Sequence, residues 1–329
     1  MPLDHYVSQV HLRKFYSPAL GNRLLYAIRK SDLRAFTPDS RAVCGINAGS
    51  TNAYLRENRA IENFLETIEP NYNAALDKLS AGEIDRECVY TIAGFAAYVI
   101  ACSPGGMRTQ SEPLRMVVEA TAARMDAKGE LLPAPAQLGG ASLTELVRDG
   151  TVEITIDPKY PQAIGIAQIL ELTATFGNFK WEVLRNEFDD RPFFTSDFPA
   201  AIEATSDPRV LNRIVPLAPN LALRIWPDLT LDKDQRRDPS FVNFGYHRRR
   251  PSREEVARLN RLIVRGAEET VFYRDDHPWV RPFVSKNRHY RIEPDTQRLT
   301  TPAGTWVVST LRIVARPDAH PERVVEGPG

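Results

Sequence analysis

Cys88-Val89-Tyr90-Thr91-Ile92-Ala93-Gly94-Phe95-Ala96-Ala97-Tyr98-Val99-Ile100-Ala101-Cys102 is apolar nearly all round. A helix with one apolar stripe lies on a surface, whereas a helix apolar on every side is enclosed. At 15 residues the stretch falls short of the roughly 20 needed to span a bilayer, so it is expected to be the central buried helix of the core. Upstream, Ile61, Phe64, Leu65, Ile68, Ala75, Leu76 and Leu79 recur at helical spacing. Pro70 interrupts them and is expected to kink or split that helix, because it removes a backbone donor and crowds the preceding turn. Downstream, Ser103-Pro104-Gly105-Gly106 ends the central helix, and Pro113 fits the first turn of another that runs to about Lys128. Residues 131–141, with Pro133, Pro135, Gly139 and Gly140, read as a loop. Ser142-Leu143-Thr144-Glu145 is a capping-box pattern opening a short helix, and 163–175 reads as another.

On either side of this helical block the texture is β-like. Residues 23–28 and 33–36 are short β-prone runs separated by polar residues, which predicts an N-terminal hairpin. After residue 178, Phe179 to Leu184 alternates, Pro192 to Thr195 is short and aromatic, and Arg213 to Leu217 and Leu221 to Trp226 flank the turn Ala218-Pro219-Asn220. Ser252-Arg253-Glu254-Glu255 repeats the capping-box pattern before a helix with Val256, Leu259, Leu262, Ile263 and Ala267 on one face, and Thr305 to Ala315 is hairpin-like. Segregated rather than alternating elements predict an α+β fold, a helical block packed on a small, mostly antiparallel sheet with an N-terminal hairpin. The expected organisation is one domain over 1–329, divided into 1–55 (N-terminal signature and hairpin), 56–178 (helical block) and 179–329 (strand block with one long helix).

Charge and composition narrow the functions. The 329 residues carry 42 basic and 42 acidic side chains and are 43% hydrophobic, which excludes a uniformly basic nucleic-acid surface but allows local patches. Cys44, Cys88 and Cys102 are odd in number and fit no paired ligand spacing, so a disulfide framework is not expected. With no signal-like N-terminus and no long apolar run, the expected setting is the cytoplasm, without a membrane. Neither Gly-x-Gly-x-x-Gly nor the Gly-x-x-x-x-Gly-Lys-Ser/Thr pattern occurs, which removes the nucleotide-binding enzymes built on those loops.

The opening His5-Tyr6-Val7-Ser8-Gln9-Val10-His11-Leu12-Arg13-Lys14-Phe15 resembles the signature of the family named domain of unknown function 4238. That signature reads His-Tyr-Val-Pro-Gln, then Leu and Phe at intervals of three. The chain keeps His5, Tyr6, Gln9, Leu12 and Phe15, with Ser8 at the proline position. Tyr54, a helix with Glu62 and Glu69, Phe193-Phe194-Thr195-Ser196-Asp197-Phe198-Pro199 and the helix with Asn260 and Ala267 fall in the family's order, so the resemblance spans about 5–275. It implies positions to inspect and carries no activity.

Among these positions His5 exchanges protons most readily near neutral pH, and Gln9 lies one helical turn away; together they read as catalytic groups or as partners of buried backbone. Glu62, Glu66 and Glu69 share a helix stripe, and their repulsion is relieved by a divalent cation, such as Mg²⁺ or Mn²⁺, or by arginine. Ser196 and Asp197 stand at a strand end, where they serve either as a turn cap or as a carboxylate at a cleft mouth. Asn260 on an apolar helix face needs amide partners from backbone or ligand. Arg248 and Arg249, in a basic run with Phe244 and Tyr246 before it, either contact a phosphate or belong to a solvated loop. The expectation built on these residues is an N-terminal segment between the helical and strand blocks. His5, a carboxylate of the 62–69 helix and Asp197 would then form a metal-dependent phosphodiesterase or nuclease acting on a small-molecule or nucleic-acid substrate. The alternative is a non-catalytic ligand- or partner-binding regulatory protein.

Overall fold

Asp85 starts the central helix: its carboxylate accepts the Cys88 backbone N–H at 2.9 Å, satisfying a first-turn donor that the helix cannot. The computed structural model, which describes residues 3–301 and 304–316, runs this helix over Arg86–Cys102, with all but a few of its side chains buried. The remaining residues of the expected 1–329 unit lie outside the described residues. Upstream the chain forms two helices, Ala60–Ile68 and Tyr72–Ala81, parted at Pro70. The first approaches the central helix closely at Gly94, where a Cβ would lie 2.5 Å from Ile68.

Downstream the proline expectation is corrected. Ser103 caps the next helix by accepting the Gly106 N–H, and Pro104 rather than Pro113 takes its first turn. Pro113 sits inside that helix, Pro104–Ala127, because the Ser103-Pro104 start already supplies the cap and the preset φ that a helix entry needs. The expected 163–175 helix is two helices, Lys159–Ala167 and Ile169–Asn178, broken at Gln168. Among the described residues no single helix is long and apolar enough to cross a membrane.

A five-stranded sheet has the order Gly245–Arg249, Lys180–Arg185, Leu221–Trp226, Leu211–Ala218, Ala201–Ala204, antiparallel except for its first pair. Alternation divides its faces. Trp181, Val183, Val215, Leu217, Leu223 and Ile225 pack with the helical block, while Leu184, Ile214 and Ala222 pack with the helix Arg253–Gly266. The basic run, one reading of which was a solvated loop, is thus the parallel edge strand; charged side chains obscured it, as they do on sheet edges. The second capping box is half made. Ser252 accepts the Glu255 N–H, but the Glu255 carboxylate turns to Arg224 and Arg249.

The N-terminal hairpin, Tyr26–Arg29 with Ala35–Phe36, joins Thr270–Tyr273 and Thr195–Ser196 in a four-stranded antiparallel sheet. Leu3–His5 pairs with Gly45–Asn47, and Tyr290–Thr301 with Gly304–Ala315. These α-helices and small, mostly antiparallel sheets make the fold α+β.

The bend after the central helix depends on Gly106, where an added Cβ would lie 1.9 Å from the Ile100 carbonyl oxygen. Gly106→Ala is expected to cost about 3 kcal/mol of stability in urea unfolding, the upper range of overpacking, because backbone rather than a flexible side chain must move.

Candidate functional site

The N-terminal segment lies between the two blocks and is bonded to both. Its His11 is fully buried, with Nδ1 2.8 Å from the Tyr72 hydroxyl in the helical block and Nε2 2.8 Å from Thr195 Oγ1 in the four-stranded sheet. Its ring stacks on Phe95 of the central helix at a centroid distance of 4.7 Å. Burial pushes its pKa down to about 3, so the ring is neutral and one nitrogen donates while the other accepts. Tyr98 of the central helix donates to the His5 carbonyl at 2.5 Å.

Above Tyr98 the segment walls a cavity of about 300 Å³ that includes Asp4, His5, Tyr6, Ile61, Met107 and Lys159. Lys159 Nζ donates to the carbonyls of Ala48 at 3.0 Å and Gly49 at 2.8 Å. Burial lowers its pKa, while Cys102, Asp4 and Asp157 favour the charged form. Asp4 accepts the Ser50 N–H at 3.0 Å and pairs with Arg59 at 3.2 Å. The His5 ring also has partners: Nε2 is 3.2 Å from the Arg41 carbonyl and Nδ1 3.4 Å from Gln9 Nε2. Gln9 Oε1 in turn accepts from Arg13 at 3.1 Å.

The residues expected to join His5 are engaged elsewhere. Asp197 is buried and its carboxylate accepts three backbone N–H groups, from Glu268 at 2.9 Å, Glu269 at 2.7 Å and Thr270 at 2.9 Å. Burial raises its pKa, whereas those amides and nearby Lys30 favour the carboxylate. Lys30, lowered chiefly by burial, donates to the carbonyls of Ala267 and Tyr290 at 2.5 and 2.9 Å. Ser196 Oγ accepts the Phe198 N–H at 3.1 Å. Glu62 pairs with Arg59 at 3.3 Å, Glu66 is exposed on the same helix, and Glu69 is the cap residue at that helix's C-terminus. Among the described residues no group of three or more His, Cys, Asp or Glu side chains is placed to hold a metal ion. The expected metal set of Glu62, Glu66 and Glu69 therefore does not assemble with His5 and Asp197.

The three residues expected to bind substrate also have protein partners. Arg248 donates to the carbonyls of Ser80 and Ala81 at 2.5 and 3.0 Å, closing the C-terminus of Tyr72–Ala81. Arg249 pairs with Glu182 at 2.7 Å and Glu255 at 2.5 Å, inside a network where buried Arg224 contacts Glu182, Glu203 and Glu255. Asn260 Oδ1 accepts the Phe194 N–H at 2.9 Å and Nδ2 donates to the Pro192 carbonyl at 2.8 Å. Sequence reasoning passed over His11, although it lies within the quoted signature, and Lys159 and Lys30, whose acceptors come from distant segments.

A family model described as Protein of unknown function (DUF4238) matches residues 4–277. The chain belongs to the DUF4238 family. Every residue lining the cavity beneath His5 lies inside the DUF4238 match. The match ends before the helix Val280–Asn287 and the terminal hairpin. No curated protein and no solved structure gives a significant match.

Asp197→Asn would turn an N–H₂ towards at least one backbone N–H. It is expected to destabilise the chain by about 2–4 kcal/mol in urea, whereas Glu66→Gln should stay within about 0.5 kcal/mol.

Proposed function

We propose that the chain binds a small molecule without reacting it, and that the ligand sits in the cavity walled by the N-terminal signature. The observation that supports this best is Lys159. An ammonium has three donors, and two are taken by Ala48 and Gly49, so one remains to meet an acceptor on a ligand. Apolar Ile61 and Met107 face the same space, and a volume of about 300 Å³ is at the small end of ligand sites. A small metabolite carrying a carboxylate or carbonyl beside an apolar part fits that combination. The competing metal-dependent hydrolase would need Asp197 and a carboxylate of the 62–69 helix to share an ion, and Asp197 is already committed to three amides.

The test is mass spectrometry of small molecules released when the purified chain is denatured. The expected result is a low-mass, acceptor-bearing compound from the native chain, lost from Lys159→Met and from the cavity-filling Met107→Trp. Added back at about a hundredfold over its Kd, it should stabilise the native chain by about 2.7 kcal/mol. Stabilisation by Mn²⁺ or Mg²⁺ that disappears in Glu62→Gln would support the hydrolase instead.

A further inference from the structure

A second cavity, of about 420 Å³, lies between the helical block and the five-stranded sheet, and no residue lines both cavities. Its walls include Ile100, Leu114, Ile164, Leu172 and Phe198, with Arg213 on the sheet side. Strand parity explains the placement. Arg213 pairs with Ile202 and Ile225, and like Val215 and Leu217 it points towards the helices.

Arg213 is half-buried and differs from the enclosed arginine of this sheet. Arg224, on the opposite face, contacts three carboxylates. Arg213 makes one long hydrogen bond, 3.4 Å to the Ala200 carbonyl, and no ion pair among the described residues. Glu171 also lines the cavity but is held by Arg237. Burial lowers the Arg213 pKa to about 10 with no carboxylate opposing it, so the group is still a cation at neutral pH. A half-buried cation beside apolar walls favours a counter-charge, because partial desolvation weakens its hydration.

We infer that Arg213 is the anchor of a binding site for an apolar monocarboxylate, such as a fatty or aryl acid, whose carboxylate supplies the missing counter-charge and whose body fills the cavity. One unpaired cation matches one negative charge, and no second cationic side chain lines the cavity among the described residues to match a dianion such as phosphate. The guanidinium fork accepts a carboxylate in two parallel hydrogen bonds. This site stands apart from the one proposed around Lys159 and does not depend on it.

Calorimetry with submicellar decanoate, decanol and inorganic phosphate tests the inference on the native chain, Arg213→Met and Leu172→Trp. Decanoate should bind the native chain, and phosphate should not. Arg213→Met should weaken decanoate about tenfold or more, the scale of one charge-assisted hydrogen bond, while leaving decanol unchanged. Leu172→Trp should weaken both. Without ligand, Arg213→Met should melt at or above the native temperature, because an uncompensated charge is removed. Equal decanoate affinity in native and Arg213→Met chains, absence of decanoate binding to a folded native chain, tighter binding of phosphate than decanoate, or a lower melting temperature for ligand-free Arg213→Met would each overturn the inference.

Discussion

One imidazole with two hydrogen bonds, His11 to Tyr72 and His11 to Thr195, ties the helical block to the four-stranded sheet through the N-terminal segment. A neutral ring makes both bonds with one nitrogen donating and the other accepting, since each hydroxyl serves in either role. Burial against Phe95 enforces that state. Much else follows from the position of this segment. It brings the His5 carbonyl onto Tyr98, aligns Leu3–His5 with Gly45–Asn47, and closes the cavity over Lys159.

The polar groups that look most catalytic in one dimension are mostly structural in three. Asp197 gathers the three amides that lead from the helix Arg253–Gly266 into the strand Thr270–Tyr273. Asn260 clasps the segment leading to Thr195, and Arg248 closes a helix. Each satisfies backbone groups that would otherwise be buried without partners, a demand that every such segment must meet. What remains for function is therefore sought in groups whose own demand is incompletely met. Lys159 has a donor to spare, and Arg213 lacks a counter-charge.

The α+β class was legible in the sequence because it rests on local signals: the all-round apolar 88–102 stretch, the break at Pro70, the alternation of 179–184 and the Ser142 capping box, which forms in full. The family was legible in the opening signature. The strand Gly245–Arg249 was not, since its pairing with Lys180–Arg185 spans more than sixty residues and its side chains are charged. The site was harder still. His5 lines the cavity without the carboxylates expected beside it, and Lys159 meets it through carbonyls more than a hundred residues away, a contact that no local pattern announces. Arg213 did leave a trace: it shares strand parity with Val215 and Leu217, a charge placed among apolar neighbours.

The central role of His11 is tested most directly by an NMR titration of its ring in the folded chain. With a folded pKa near 3 against about 6.5 unfolded, only the unfolded state gains a proton as pH falls from about 6.5. The His11 contribution to stability should therefore be complete above about pH 6.5 and decline by up to about 1.4 kcal/mol per pH unit towards pH 3, while the His11 ring signals stay those of one neutral tautomer until the chain unfolds. A ring that titrates near pH 6.5 in the folded protein would contradict the neutral bridge and the joining of the two blocks through it.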